Sequence, residues 1–251
     1  MGEGTVGSER DSWFLVFPIT ETLPNLLRAP GTLAVIVSSL LVVGLGRLRT
    51  GITRALECTT AGIANGELWR LVTYVLPHEG GWPHVLINMV LLALYGWQLE
   101  RRVGPARFLI VYFGSGALGM ALLLGRHPID AELGLRSGAS LAVFGTVAAL
   151  ATWHATRGGR RNPATPWGVG TCVVLLVASG LLSVIKHDGE TAPRLGWFMF
   201  GFANHTLGMI AGVILGVAVD THISPVRRGI AAALAVLAAT SAIAVGVTRW
   251  A

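Results

Sequence analysis

The stretch Phe108–Leu124, FLIVYFGSGALGMALLL, decides the fold class, because it carries no charged residue over the length of a membrane-spanning helix. Such a helix needs about 20 predominantly apolar residues, within a range of about 17 to 25. The composition agrees: of 251 residues, 53% are hydrophobic and only 13% charged, and the mean hydropathy is +0.64. A soluble protein is about 25% charged. We therefore expect an integral membrane protein.

Six further apolar stretches predict six more spanning helices. They cover about 32–48, 83–99, 140–155, 167–185, 198–219 and 229–247. Unbroken runs of this length favour helices over a β-barrel, whose strands alternate in hydrophobicity. The predicted fold is an all-α polytopic bundle with about seven transmembrane helices. We divide the chain into a short N-terminal tail, 1–31, and a membrane domain, 32–251.

The positive charge of the chain lies in the loops and does not indicate nucleic-acid binding. The net charge is +6, and 18 of the 19 basic residues are arginines, most of them in short gaps between apolar runs. This distribution is typical of membrane proteins. The short loops on the side of the N-terminus carry more basic residues than those opposite, so we expect a cytoplasmic tail. We expect the lipid bilayer as a partner and no nucleic acid.

Four polar side chains interrupt the second, fourth and sixth spans, where lipid makes them costly. His84 and Asn88 lie early in the second span, Ser140 opens the fourth, and His205 lies in the first third of the sixth. Because these three spans run in the same direction, their first turns lie at similar depth near one membrane face. His84 and Asn88 are four residues apart and share a helix face. This convergence predicts a site.

Ser140 and His205 have the chemistry of a serine hydrolase. A serine hydroxyl becomes a nucleophile when a neighbouring imidazole accepts its proton. His84, Asn88 and the Ser140 N–H are able to donate to an oxyanion. The spans hold no carboxylate that could act as the third member of a catalytic triad, which favours a Ser-His dyad. Phe144 lies one turn after Ser140 and is placed to stack on the His205 ring.

The same residues also have structural interpretations. A serine at a helix start is often a cap, a histidine in a span is often a packed or proton-relay residue, and an asparagine can join helices. The glycines of the sixth span lie on or near one stripe that lets two helices approach closely, and packing alone explains them. They are Gly201, Gly208, Gly212 and Gly216. We interpret the five other histidines as structural: His78, His127, His154, His187 and His222.

At these residues the sequence resembles the rhomboid family of intramembrane serine proteases, over about 66–216. HVLIN at 84–88 is similar to the family's His-x-x-x-Asn signature. GASLAVF at 138–144 resembles its Gly-x-Ser-Gly nucleophile motif with the downstream aromatic residue. HTLG at 205–208 resembles its catalytic-histidine helix, and Trp69-Arg70 looks like its Trp-Arg motif.

The resemblance implies a six-helix core with one extra C-terminal transmembrane helix, and proteolysis within a cell membrane. Ser140 would attack a peptide bond in the transmembrane segment of a membrane protein substrate, with His205 as general base and then acid. His84, Asn88 and the Ser140 N–H would hold the oxyanion. Phe144, Gly138 and Gly208 would support the site, and no metal or cofactor would be needed.

Two leucines depart from the family pattern. Leu141 stands where the nucleophile motif has its second glycine, and Leu207 stands where the family often has another. Overpacking costs about 1–3 kcal/mol or shifts helices, so a catalytically inactive rhomboid-like protein that binds membrane clients is the alternative. A small transporter with His84 and His205 as proton relay would require repeats and broken helices, which the sequence does not display. Substrate and oligomeric state are not indicated.

Overall fold

The chain folds into a series of α-helices. The computed structural model of the protein describes residues 19–129, 137–158, 164–186 and 194–250, and within these ranges the regular structure is entirely helical. In chain order the helices are α1 Ile19–Leu26, α2 Pro30–Leu48, α3 Thr50–Leu56, α4 Thr60–Ala64, α5 Arg70–Thr73, α6 Gly81–Val103, α7 Pro105–Leu124, α8 Ser140–Gly158, α9 Ala164–Lys186, α10 Arg194–Val219 and α11 Pro225–Trp250.

Each predicted span lies within one of the long helices, α2 and α6 to α11. The all-α polytopic bundle is confirmed, and the protein is an integral membrane protein. Within the described ranges, α2, α7, α11 and Phe198–Val219 of α10 are long and apolar enough to cross a bilayer, and the apolar part of α9, Val169–Ile185, is shorter. That all seven cross remains a prediction, as does the division at residue 31. Residues 1–18 and His187 lie outside the described residues.

Proline and glycine set the starts of two long helices earlier than hydropathy predicts. α2 begins at Pro30 and α7 at Pro105, where the missing proline N–H is not needed. Between α6 and α7, Gly104 has a φ of +85°, which glycine adopts without steric cost. The apolar stretches at 32 and 108 therefore begin two or three residues after the helices that contain them.

Helix α8 lies at the centre of the bundle. Residues 141–150 are all buried, and α8 packs against α6, α7, α9 and α10. A helix that is apolar all round is typical of such a position. The start of α8, where Ser140 lies, is therefore surrounded by other helices.

Helix α11 lies at the outside. Its large apolar side chains include Val236 and Leu237, each 62% exposed. Large exposed apolar surface of this kind is expected where a helix faces lipid instead of water.

A buried carboxylate fastens α2 to α6. Glu100 is 3% exposed, and its oxygens accept the N–H groups of Gly31 and Thr32 at 2.8 and 2.7 Å and the Thr32 hydroxyl at 2.7 Å. The first N–H groups of a helix have no partner within it, and a carboxylate is favourable there. Hydropathy alone treats Glu100 only as the charged end of a span.

The loop between α2 and α6 is stabilised by Arg70 of the Trp-Arg motif. Its Nη1 donates to the carbonyl oxygens of Arg54 and Glu57, both at 2.7 Å, and its Nε pairs with Glu67. One guanidinium therefore joins three points of the loop that leads to His78 and α6.

Candidate active site

Helices α8 and α10 contact each other backbone to backbone. A Cβ atom added to Gly208, Gly212 or Gly216 would come too close to the facing α8 backbone. The separations from the facing Cα atoms would be 2.8 Å for Gly208 and Leu141, 2.5 Å for Gly212 and Gly145, and 3.1 Å for Gly216 and Ala149. Both residue numbers rise together, so the helices run parallel. The close approach of two helices that the glycine stripe allows is therefore present, between α8 and α10.

Gly201 departs from this stripe. Its added Cβ would lie 2.7 Å from the Ser179 carbonyl oxygen and 2.7 Å from Ser183 Cβ, both on α9. The first turns of α10 thus pack closely on α9, and the later turns pack on α8. A residue spacing alone cannot tell which neighbour a glycine faces.

Ser140 opens α8 and is half-buried. The N–H groups in the first turn of a helix have no acceptor within it, so those of Ser140 and Leu141 are available to a bound oxygen. Before them Gly138 has a φ of +140°, a conformation that favours glycine. The Gly138 N–H donates to the Tyr74 carbonyl oxygen at 3.0 Å, which anchors the turn leading into Ser140.

The ring of His84 lies directly on the Gly138 backbone. A Cβ added to Gly138 would lie 2.7 Å from His84 Cε1 and 3.2 Å from its Nε2. A side chain at 138 would therefore displace the His84 ring, and the φ also favours glycine. The structure brings His84 to the start of α8, two residues from Ser140.

Asn88 lies one turn after His84 on α6 and is 3% exposed. Its Nδ2 donates to the His84 carbonyl oxygen at 2.9 Å. An amide nitrogen has two N–H groups, so one bond is made within the helix and one N–H is left for another acceptor. That Asn88 holds an oxyanion stays a prediction.

His78, whose place in the sequence indicates only a structural role, packs in the candidate site. It is 6% exposed, and its ring meets the His84 ring edge to face with centroids 5.0 Å apart. Its Nε2 accepts the N–H of Ala139, the residue before Ser140, at 3.2 Å, and its Nδ1 donates to the Leu76 carbonyl at 3.1 Å. No local sequence signal reveals this, because the contact joins the end of a loop to the start of α8.

Burial is the main reason why the pKa of His78 is lowered. Loss of solvation, followed by the nearby His84, lowers the pKa of His78 to about 4. The ring is therefore neutral at neutral pH, as it must be to accept the Ala139 N–H.

The orientation of His205 is fixed by its own helix. Its Nδ1 lies 2.7 Å from the Gly201 carbonyl oxygen, and because a carbonyl only accepts, Nδ1 carries the proton and the lone pair is on Nε2. The Phe144 ring lies against the imidazole, with centroids 4.6 Å apart at 35°. Within the described residues Ser140 Oγ is not hydrogen-bonded to His205. Such contacts are often loose before substrate binds.

The two unusual leucines are accommodated. Leu141 is 5% exposed, and its Cβ would lie 3.5 Å from a Cβ added to Gly119 of α7. Because Gly119 and Gly208 carry no side chains, Leu141 fits without separating α8 from α10. Leu207 packs against the main apolar core.

Fold and site together define a polytopic helical membrane protein with a serine and a histidine on two touching parallel helices. The family model described as Rhomboid domain matches residues 65–221, more than half of the chain. The chain belongs to the rhomboid family.

Individual relatives are similar over shorter stretches. The putative rhomboid protease YdcA of Bacillus subtilis is 45% identical over 84 residues, covering 34% of this chain and 40% of the relative. Rhomboid protease GluP of the same organism is 30% identical over 150 residues, covering 59% of this chain and 27% of the relative. The inactive RHOMBOID-like protein 8 of Arabidopsis thaliana is 35% identical over 88 residues, covering 34% and 23%. The chain thus spans less than half the length of these relatives.

Proposed function

We propose that this rhomboid family member is an intramembrane serine endopeptidase that cleaves transmembrane segments of membrane proteins in a cell membrane. Ser140 is the nucleophile and His205 the general base and then acid. His84, Asn88 and the Ser140 N–H stabilise the oxyanion. Phe144, Gly138 and Gly208 hold these groups in position, and the reaction requires no metal or cofactor.

The observation that carries this proposal is the state of His205. Its Nδ1 proton is committed to the Gly201 carbonyl at 2.7 Å, and the Phe144 ring supports its face. In a catalytic triad an acid orients the imidazole and selects its tautomer. Here a backbone carbonyl and an aromatic ring supply both effects, so a dyad is sufficient. The Nε2 lone pair is left to accept the Ser140 proton.

The oxyanion assignment has support of its own. The Nε2 atom of His84 lies 3.2 Å from the position that a Cβ on Gly138 would take. The N–H groups in the first turn of α8 have no acceptor within the helix. Donors held in place before the reaction are worth about 2.7–4 kcal/mol each in acyl transfer.

The test is labelling of the detergent-solubilised protein with a fluorophosphonate, which reacts with activated serines. We expect the parent to be labelled at Ser140, and labelling to be lost in Ser140→Ala and in His205→Ala. His222→Ala is the matched control, because His222 is exposed and its hydrogen bond within the described residues, to Asp220, comes from the backbone N–H and not from the ring. Labelling that persists in His205→Ala, or at a serine other than Ser140, contradicts the dyad.

A catalytically inactive, client-binding protein is the second candidate. It is favoured by Leu141 in the nucleophile motif and by the similarity to a relative named inactive. A folded parent that stays unlabelled, with labelling appearing only in Leu141→Gly, is the outcome that selects it.

A further inference from the structure

Asn204, the residue before His205, is buried without a protein partner. It is 5% exposed, and among the described residues neither its amide oxygen nor its amide nitrogen makes a hydrogen bond. Burying an amide that makes no hydrogen bond is energetically unfavourable. An apolar residue of similar size avoids that cost, so packing alone does not account for an asparagine here.

Ser137 is a second buried polar group close to the same place. It is 5% exposed, and its Oγ also has no hydrogen-bond partner within the described ranges. Asn204 comes one turn before Gly208, which meets the backbone of Leu141 near the start of α8. Ser137 lies in the non-helical segment that leads into α8, three residues before Ser140. Both residues therefore lie beside the start of α8, next to the Ser140–His205 pair.

At this level of the bundle, helix α7 offers only apolar groups. Gly119 of α7 contacts Gly208, and α7 runs antiparallel to α10. One turn further along α7 are Leu123 and Leu124, which are 2% and 0% exposed. Helix α7 thus offers no polar side chain to Asn204 or Ser137 at this level.

We propose that Asn204 and Ser137 bind the water molecule that hydrolyses the acyl-enzyme on Ser140. This inference rests on the proposed function. A buried water makes about three hydrogen bonds, and the amide N–H, the amide oxygen and the hydroxyl supply a matching set of donors and acceptors. A dedicated water site is useful where apolar helices surround the reacting atoms. Asn204 is then a positioning residue, which acts through the water.

The step balances without a further reactant. The water oxygen forms a bond to the acyl carbonyl carbon while His205 Nε2 takes one of its protons. The bond between that carbon and Ser140 Oγ then breaks, and the proton passes from Nε2 to Oγ. The products are a free carboxylic acid and the regenerated Ser140 hydroxyl.

Two variants remove the water ligands at little cost in volume: Asn204→Leu and Ser137→Ala. Acylation is measured as the rate of fluorophosphonate labelling, which needs no water. Deacylation is measured with a 4-nitrophenyl ester that acylates Ser140, by turnover and by mass spectrometry of the acyl-enzyme. We expect Asn204→Leu to be labelled within about twofold of the parent rate, to turn over the ester at least about tenfold more slowly and to accumulate acyl-enzyme. Ser137→Ala slows turnover less.

Thr206→Val is the matched control, because the Thr206 hydroxyl is already satisfied by the Phe202 carbonyl at 2.8 Å within α10. We expect it to match the parent in both steps. An unlabelled parent refutes the proposed function itself. A labelled parent with equal ester turnover in Asn204→Leu and Ser137→Ala refutes the water site alone, as does equal loss of labelling and turnover. A high-resolution structure of the parent must also contain ordered water against the Asn204 amide, and its absence refutes the site whether or not the protein is active.

Discussion

At the scale of single residues, backbone carbonyls set the tautomers of two histidines in the site. The Gly201 carbonyl holds the Nδ1 proton of His205, and the Leu76 carbonyl holds that of His78. In both rings the lone pair is therefore on Nε2. At His205 it faces the proposed proton transfer, and at His78 it accepts the Ala139 N–H. The two imidazoles have the same tautomer but different tasks.

The neutral His78 makes stability depend on pH. Burial lowers its pKa from an ordinary 6.5 to about 4, so between these values the unfolded chain binds more protons than the folded one. Stability is then lost as the pH falls from about 6.5 towards 4. We expect the Tm in detergent to drop between pH 7 and pH 4.5.

The variant His78→Gln tests that assignment, because a glutamine oxygen accepts the Ala139 N–H without titrating. Its Tm should fall less steeply with pH than that of the parent. The control His222→Ala alters an exposed ring and should keep the parental slope. An identical slope in His78→Gln and the parent would assign the pH dependence to another group.

At the scale of elements, the contact between α8 and α10 is built from glycines that leave no room for a side chain. The substitution Gly212→Ala places a Cβ 2.5 Å from the Cα of Gly145, a backbone atom that cannot turn aside. We expect the helices to separate, with a lower Tm and loss of fluorophosphonate labelling. A displacement of about 1 Å at a reacting group can cost on the order of 100-fold in rate.

Gly44→Ala is the control for that substitution, because nothing lies within 4 Å of a Cβ added at Gly44 of α2. Alanine in a helix interior is favoured over glycine by roughly 0.5–1 kcal/mol, so its Tm should stay equal or rise. If Gly212→Ala behaves like Gly44→Ala, the contact between α8 and α10 accommodates a methyl group and the prediction is wrong.

The sequence predicts elements better than it predicts their partners. Hydropathy locates all the long helices, since each needs a long apolar run, and the common direction of alternate spans brings His84, Ser140 and His205 to one end. What a sequence cannot supply is which neighbour a side chain meets. Gly201 packs on α9 although its spacing resembles that of Gly208, and His78 joins the site through a contact between distant segments. The fit of Leu141 depends on Gly119 of another helix.

At the scale of the whole molecule, α8 and α10 are joined at both ends by different means. At one end lie the glycine contacts and the candidate site. At the other, about 25 Å away by the rise of α8, Arg157 makes two hydrogen bonds to Asp220 at 2.8 and 2.9 Å. Asp220 is 3% exposed and also accepts the Thr156 hydroxyl and the His222 N–H. This polar end joins the two helices at a distance from the candidate site.

We therefore expect Asp220→Asn to lower stability and spare the chemistry. Removing one partner of a buried ion pair costs about 3–5 kcal/mol of stability. Because the Arg157 side chain is 22% exposed, we expect the loss of stability in Asp220→Asn to lie at or below the lower end of that range. The Tm should fall clearly, while the rate of Ser140 labelling at low temperature should stay near that of the parent. The double variant Arg157→Met with Asp220→Asn should recover part of the Tm, because no uncompensated charge is left. A labelling rate that falls together with the Tm, measured where the variant is still folded, would show that the two ends of α8 are coupled and that the site depends on the whole length of the α8–α10 contact.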